Sequence, residues 1–274
     1  MTTPNGAPVL LQLGQRPDEP GPPISGPAAY PPDVTARLRT EATQIITRYP
    51  QARSALLPLL HLVQSEDGYL TPAGIAFCAA QLHLTDAEVT AVATFYSMYR
   101  RTPTGQYLVG VCTNTLCAVM GGDAILESLQ DHLGIHAGQT TGDGRVTLDH
   151  IECNAACDYA PVVMVNWEFF DNQTPASARD LVDALQAGQP PTPTRGAALC
   201  TFRETARTLA GLPDPRMAWG HLPLAGDNPG RAGAATLAGL RVAQERGMEA
   251  PTAPDGATEP STTETDPSTT DSET

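Results

Sequence analysis

Four cysteines constrain this chain more than any other feature. Cys112 and Cys117 lie in C-T-N-T-L-C, Cys153 and Cys157 lie in C-N-A-A-C, and 35 residues separate the two pairs. A thiolate is costly among apolar neighbours unless a metal takes its charge. Each pair follows a short β run, Gln106–Val111 before Cys112 and Val146–Ile151 before Cys153. Consecutive strands of one sheet bring such ends close together, so the fold has to let four sulfurs converge.

The residue pattern around the cysteines changes period once. Residues 33–95 read as helical. Val34, Leu38, Ile45 and Ile46 form an apolar stripe that ends at Tyr49-Pro50. Ser54 to Gln64 is strongly apolar, with Pro58 near its first turn. Thr71-Pro72 is an N-cap followed by proline at the first helical position, and opens a helix to Leu82. Thr85-Asp-Ala-Glu88 is a capping box that opens a fourth helix. After Pro103 and Gly105 the pattern becomes β. Gly122–Leu133 is an amphipathic helix, Pro161–Val165 a third β run opened by Pro161, and Asn166–Phe170 a hairpin return. Thr174-Pro175 caps a helix that stops at Gly188. The order β-α-β-β-(β)-α describes an α/β sandwich of thioredoxin-like size, and the whole chain is of α+β class. The expected divisions are 1–30 disordered, 31–100 helical bundle, 101–189 sandwich, 190–248 a partly helical extension, and 249–274 a disordered tail. Within the extension, Phe202–Leu209 and, more weakly, Ala235–Arg246 read as helices.

Composition narrows the function classes. Seven prolines in residues 1–30, and seven acidic groups with no basic one in 249–274, leave both ends too poor in apolar surface to offset chain entropy. The tail carries half of the net charge of −14. No basic stripe marks a nucleic-acid binder. No run reaches the roughly 18 apolar residues of a membrane span, and no secretory signal is visible. A cytoplasmic setting keeps thiols reduced, and there cysteine clusters more often bind metal than form disulfides. Neither Gly121-Gly122 nor Gly142-x-Gly144 makes a dinucleotide fingerprint, so NADH and flavin are not expected to bind this chain. All sixteen cationic residues are arginine, a GC-rich coding signature.

Three occupants suit four cysteines. Zinc prefers tight C-x₂-C turns, because one ion takes four sulfurs at about 2.3 Å. Inner gaps of four and three suit a wider body in which each pair grips its own iron, as in a [2Fe–2S] rhomb. Disulfides are the third option. The loose gaps favour iron–sulfur over zinc, and the inferred reducing compartment disfavours disulfides, without removing either. Thr113, Asn114 and Thr115 make a polar turn whose backbone N–H groups could point at the sulfide of a cluster. Asn154, Ala155 and Ala156 are small enough for close approach. Glu152 and Asp158 read as solvated loop charges or, on a sharper reading, as charges that hold the potential of such a cluster low. Cys78 reads as a core residue, Cys200 as a semi-buried thiol, and His150 as no ligand. Phe95, Tyr96, Met98 and Tyr99 form a patch suited to core packing or to a subunit interface.

Over residues 33–188 the chain resembles the 24-kDa-type [2Fe–2S] subunit of NADH-quinone oxidoreductases, the E subunit of bacterial complex I. The resemblance rests on C-x₄-C and C-x₃-C, on Tyr49-Pro50 with Ser54-Ala-Leu-Leu-Pro-Leu-Leu-His61 and Gly68-Tyr69, and on Val92-Ala-Thr-Phe-Tyr-Ser-Met-Tyr99 leading to Pro103. It implies a thioredoxin-like [2Fe–2S] ferredoxin domain behind a helical bundle, in a high-GC, actinobacterium-like bacterium. It implies that Cys112, Cys117, Cys153 and Cys157 bind one [2Fe–2S] cluster. The chain is then an electron carrier without catalytic residues, within a proton-translocating NADH:quinone oxidoreductase. FMN and NADH belong to a partner subunit on which the helical segment packs. A large iron–sulfur subunit completes the set, and the complex holds the chain at the cytoplasmic face of the plasma membrane. The small diaphorase subunit of an NAD-linked hydrogenase or formate dehydrogenase shares this pattern, and a zinc-stabilised scaffold is the alternative from another class. Two departures stand out. The hairpin has Asn166-Trp167-Glu168 where the family often has Asn-Gly-Glu, and the extension from 190 onward exceeds the family core and is suspected of wrapping a partner.

Overall fold

A computed structural model describes residues 24–195, 198–213, 241, 242 and 245–247. Four helices build the first half. α1 (Pro32–Ile46) starts with proline at its first turn and buries Leu38, Ala42 and Ile45. A 3₁₀ turn, Ala52–Ala55, leads into α2 (Leu56–Asp67), so the helix begins two residues later than the apolar run suggested. Pro58 then lies in the first turn, where its missing N–H is tolerated. α2 runs through the middle of the bundle, with Leu59, Leu60, Leu62 and Val63 fully buried. α3 (Pro72–Leu82) is capped by the Thr71 hydroxyl, which accepts from the Gly74 N–H at 3.1 Å. α4 (Asp86–Phe95) carries the complete Thr85–Glu88 capping box.

The second half is a four-stranded sheet in the order β2-β1-β3-β4. β1 (Tyr107–Cys112) is followed by two helices, α5 (Thr115–Val119) and α6 (Gly122–Leu133), and then by β2 (Val146–Ile151). β1 and β2 are parallel, which requires a crossover of this kind. β3 (Val163–Val165) and β4 (Glu168–Phe170) add antiparallel strands, and α7 (Pro175–Gln186) packs against α6. Val109, Val111, Leu148, Val163 and Val165 form one core with Ile125 and Leu129 of α6 and Leu181, Val182 and Leu185 of α7. The β-α-β-β-(β)-α order holds, with α5 as an unexpected element. β3 opens at Val163 rather than at Pro161, and the Ala160–Pro161 peptide is cis.

Residues 24–30 correct the expectation of disorder over 1–30. The Tyr30 hydroxyl donates to Asp67 at 2.6 Å, its ring meets Phe77 edge-on, and the Ala73 N–H donates to the Pro27 carbonyl at 2.9 Å. Ile24 and Tyr30 also pack on the helical core, so this segment has the apolar contacts that its proline content obscured. Residues 1–23 and the acidic tail from 249 lie outside the described residues, as does most of the weak helix expected over 235–246.

The described part of the extension lies on the chain itself. Arg195 bridges to Phe169 at the edge of β4 and pairs with Asp171 at 3.0 Å. α8 (Phe202–Leu209), opened by a Thr201–Glu204 capping box, packs on α2. Arg207 meets Glu41 at 2.6 Å, and Arg203 donates to the Glu66 and Asp67 carbonyls at the C-terminus of α2, where a cation is favoured. Phe202 is fully buried, its N–H donates to the Gln106 carbonyl at 2.8 Å, and its ring stacks on Trp167 at 5.5 Å. This segment therefore straps the sheet to the bundle. A second tie is Arg100, which pairs with Asp149 of β2 at 2.7 Å. The buried Gln64 amide fixes the backbone there, accepting from the Arg100 N–H at 2.7 Å and donating to the Met98 carbonyl at 3.2 Å.

Candidate metal centre

Parallel pairing places the C-terminal ends of β1 and β2 at the same edge of the sheet, with Cys112 opposite Ile151. Cys112 closes β1, and Cys153 follows Ile151 by two residues. Antiparallel β3 begins beside that edge, where the Cys112 N–H donates to the Val162 carbonyl at 3.1 Å. Cys117 comes round on α5, and Cys157 opens a 3₁₀ turn, Cys157–Tyr159. The four cysteines, with Asn114, Thr115, Leu116 and Val119, line one cleft of about 380 Å³.

The two pairs differ in environment. Cys112 and Cys117 are 3% and 4% exposed, whereas Cys153 and Cys157 are open to solvent. Burial pushes the Cys117 thiol up to about 11, with the neighbouring Cys112 and Cys157 adding to the rise and the Val162 N–H opposing it. The Cys157 thiol is also raised, chiefly by its hydrogen bond and charge coupling to Cys153. Sulfur neighbours therefore come as 112 with 117 and 153 with 157. A metal binding here displaces thiol protons, because only the thiolate ligates.

Two cysteine pairs lining one cleft suit a body in which each pair grips its own iron. N–H donors complete the fit. The Ala155 N–H donates to Cys153 Sγ at 3.4 Å, and the Asn114 amide reaches Cys112 Sγ at 3.7 Å.

Gly122, the first residue of α6, sits directly beneath the first pair. A Cβ there would overlap the Cys112 carbonyl oxygen and stand 2.9 Å from that of Cys117. Gly122, just after the loop of the first cysteine pair, thus has a packing reason that no local motif announces. α5 was missed as well, although Leu116, Val119 and Met120 have helical spacing and Gly121 ends them. Those three apolar residues are exposed beside the cleft.

The remaining residues fall into place. Glu152, Asp158 and His150 are exposed, and none of the three lines the cleft. Cys78 is fully buried in the helical core, and burial raises its thiol far above the usual range. Cys200 is buried with its Sγ 3.2 Å from the Thr205 hydroxyl. The aromatic patch divides: Tyr99 is buried and donates to the Leu57 carbonyl at 2.9 Å, while Phe95 is 78% exposed. The glycine-free hairpin still forms, with φ of +47° at Asn166 and +70° at Trp167. Asn166 offsets the strain by accepting from the Leu108 N–H at 2.8 Å and donating to the Cys200 carbonyl at 2.8 Å.

Residues 42–186, more than half of the chain, match the family of thioredoxin-like [2Fe–2S] ferredoxins. The chain belongs to this family. Within it, this ferredoxin is 65% identical over 256 residues to the E subunit of NADH-quinone oxidoreductase from Mycobacterium tuberculosis, covering 93% of this chain and 98% of that one. It is 38% identical over 148 residues to the corresponding E subunit from Rickettsia conorii, covering 53% and 89%. It is 34% identical over 163 residues to the mitochondrial NADH dehydrogenase (ubiquinone) flavoprotein 2 of Dictyostelium discoideum, covering 58% and 66%. The mycobacterial match is long enough to span the strap formed by residues 190–213.

Proposed function

We propose that this chain is the electron-transfer subunit of an NADH-quinone oxidoreductase, with its single [2Fe–2S] cluster held by Cys112, Cys117, Cys153 and Cys157. The observation that carries the ligand assignment is the convergence of these four sulfurs, as two pairs, on one cleft at the shared edge of β1 and β2. When bound, the cluster supplies one-electron redox chemistry. Cys112 and Cys117 hold the inner side away from water, and Cys153 and Cys157 hold the side that faces outward. Four thiolates concentrate negative charge in the cleft, and Glu152 and Asp158 stand exposed on the second loop. Both effects favour the oxidised state and a low potential, which the N–H donors on the sulfurs partly offset. The electron donor is a flavin on a partner subunit, and a large iron–sulfur subunit is the other neighbour. No helix among the described residues is long and apolar enough to cross a membrane. On this reading, attachment at the cytoplasmic face of the plasma membrane comes through the assembly.

Serine replacement tests the ligand set. Cys112→Ser and Cys153→Ser are each expected to lose at least half of the iron and the visible absorption of the anaerobically purified chain, and Cys200→Ser to keep both. Full iron and an unchanged spectrum in either of the first two would refute the assignment.

A further inference from the structure

Asn114 occupies the N-cap of α5, yet its side chain makes no capping bond. Its amide is used elsewhere. Nδ2 donates one proton to the Ile151 carbonyl oxygen at 2.9 Å and directs the other at Cys112 Sγ, 3.7 Å away. Both partners are acceptors, which fixes the orientation of the amide, since a flipped group would set oxygen against oxygen. One half-buried side chain thereby joins the loop of the first cysteine pair to the end of β2, which leads to the second. The donor to Cys153 Sγ, by contrast, is a backbone group, the Ala155 N–H at 3.4 Å.

We infer that Asn114 is a positioning residue whose amide raises the reduction potential of the centre by donating to Cys112 Sγ. Reduction adds negative charge that spreads onto the sulfurs, and a donor aimed at a ligand sulfur stabilises the reduced form more than the oxidised one. The inference rests on the cluster assignment above and goes beyond it, because nothing in the cysteine pattern selects a side-chain donor.

The test is an EPR-monitored redox titration of the full chain, with iron and sulfide measured on every sample. Asn114→Ala is expected to keep its cluster. At a fixed potential its reduced-to-oxidised ratio is expected to fall about three- to tenfold, the scale of one hydrogen bond. For a one-electron couple that is about 30–60 mV. Asn114→Asp, close to isosteric but donor-free and charged, is expected to fall further. Cys200→Ser, whose residue does not line the cleft, is expected to titrate like the wild type. Unchanged potentials in both Asn114 variants at full iron content would overturn the inference. So would loss of the cluster from both with circular dichroism unchanged, which would make Asn114 a purely structural tie. A wild-type chain that held zinc and no sulfide would refute the function proposed above instead, a distinguishable result.

Discussion

Replacing Gly122 by alanine probes the link between packing and the metal centre. Gly122 has no positive φ to protect, so the alanine backbone is allowed, and at the first position of α6 the preference for alanine is smaller than the about 0.5–1 kcal/mol of a helix interior. The obstacle is steric. The new methyl overlaps the Cys112 carbonyl oxygen and lies 2.9 Å and 3.0 Å from the carbonyl oxygen and carbon of Cys117. These are backbone atoms and cannot rotate away, so α6 and the ligand loop must separate by several tenths of an ångström. Overpacking of this kind costs about 1–3 kcal/mol. Set against at most about 0.5 kcal/mol of propensity at a helix start, the net cost is roughly 0.5–3 kcal/mol, which for a chain of this size lowers Tm by about 1–12 °C. Metal–ligand distances tolerate only about ±0.2 Å, so iron content is expected to fall as well. The assay is thermal unfolding with iron determination on anaerobically purified protein. Gly142→Ala is the control: a Cβ there meets nothing within 4 Å and no positive φ opposes it, so Tm should hold or rise. A Gly122→Ala protein with wild-type Tm and iron would refute the reasoning.

Two further outcomes follow from the same contacts. Burial holds the His61 imidazole at about 4, below its ordinary value near 6.5, with Nδ1 unpartnered against the Tyr99 ring. The unfolded chain then binds the proton first as pH falls, so stability drops from pH 6.5 downward, by about 2 kcal/mol at pH 5. Denaturant unfolding of His61→Leu should show a correspondingly shallower loss over that range, and parallel pH profiles would contradict the assignment. Phe202→Ala removes the fully buried ring that stacks on Trp167, and is expected to cost about 3–5 kcal/mol while leaving cluster ligation intact. An unchanged Tm would show that the strap is not part of the folded unit.

Local chemistry was the legible part of the sequence. The Thr71, Thr85 and Thr174 caps are short-range signals, and each helix they announced is present. The cysteine convergence was legible for a similar reason, since a cysteine pair at the end of each of two neighbouring strands leaves little freedom. What stayed hidden depends on contacts between distant residues. Gln64 reads as the polar end of an apolar helix, but its amide is buried against residues 98 and 100. Asn114 reads as a turn residue, and its partner is the last residue of β2. Trp167 reads as a departure at a glycine position, and its ring is the seat for Phe202. The strap itself gave no local sign that its partner is α2, because the pairing of Arg207 with Glu41 spans 166 residues.

The role proposed for this chain depends on four thiolates holding a two-iron cluster. Iron, zinc and acid-labile sulfide, determined on the anaerobically purified full chain together with an EPR spectrum of the dithionite-reduced protein, test it most directly. About two irons and two sulfides per chain, with a reduced-state signal, are predicted. One zinc per chain with no sulfide and no signal would contradict it.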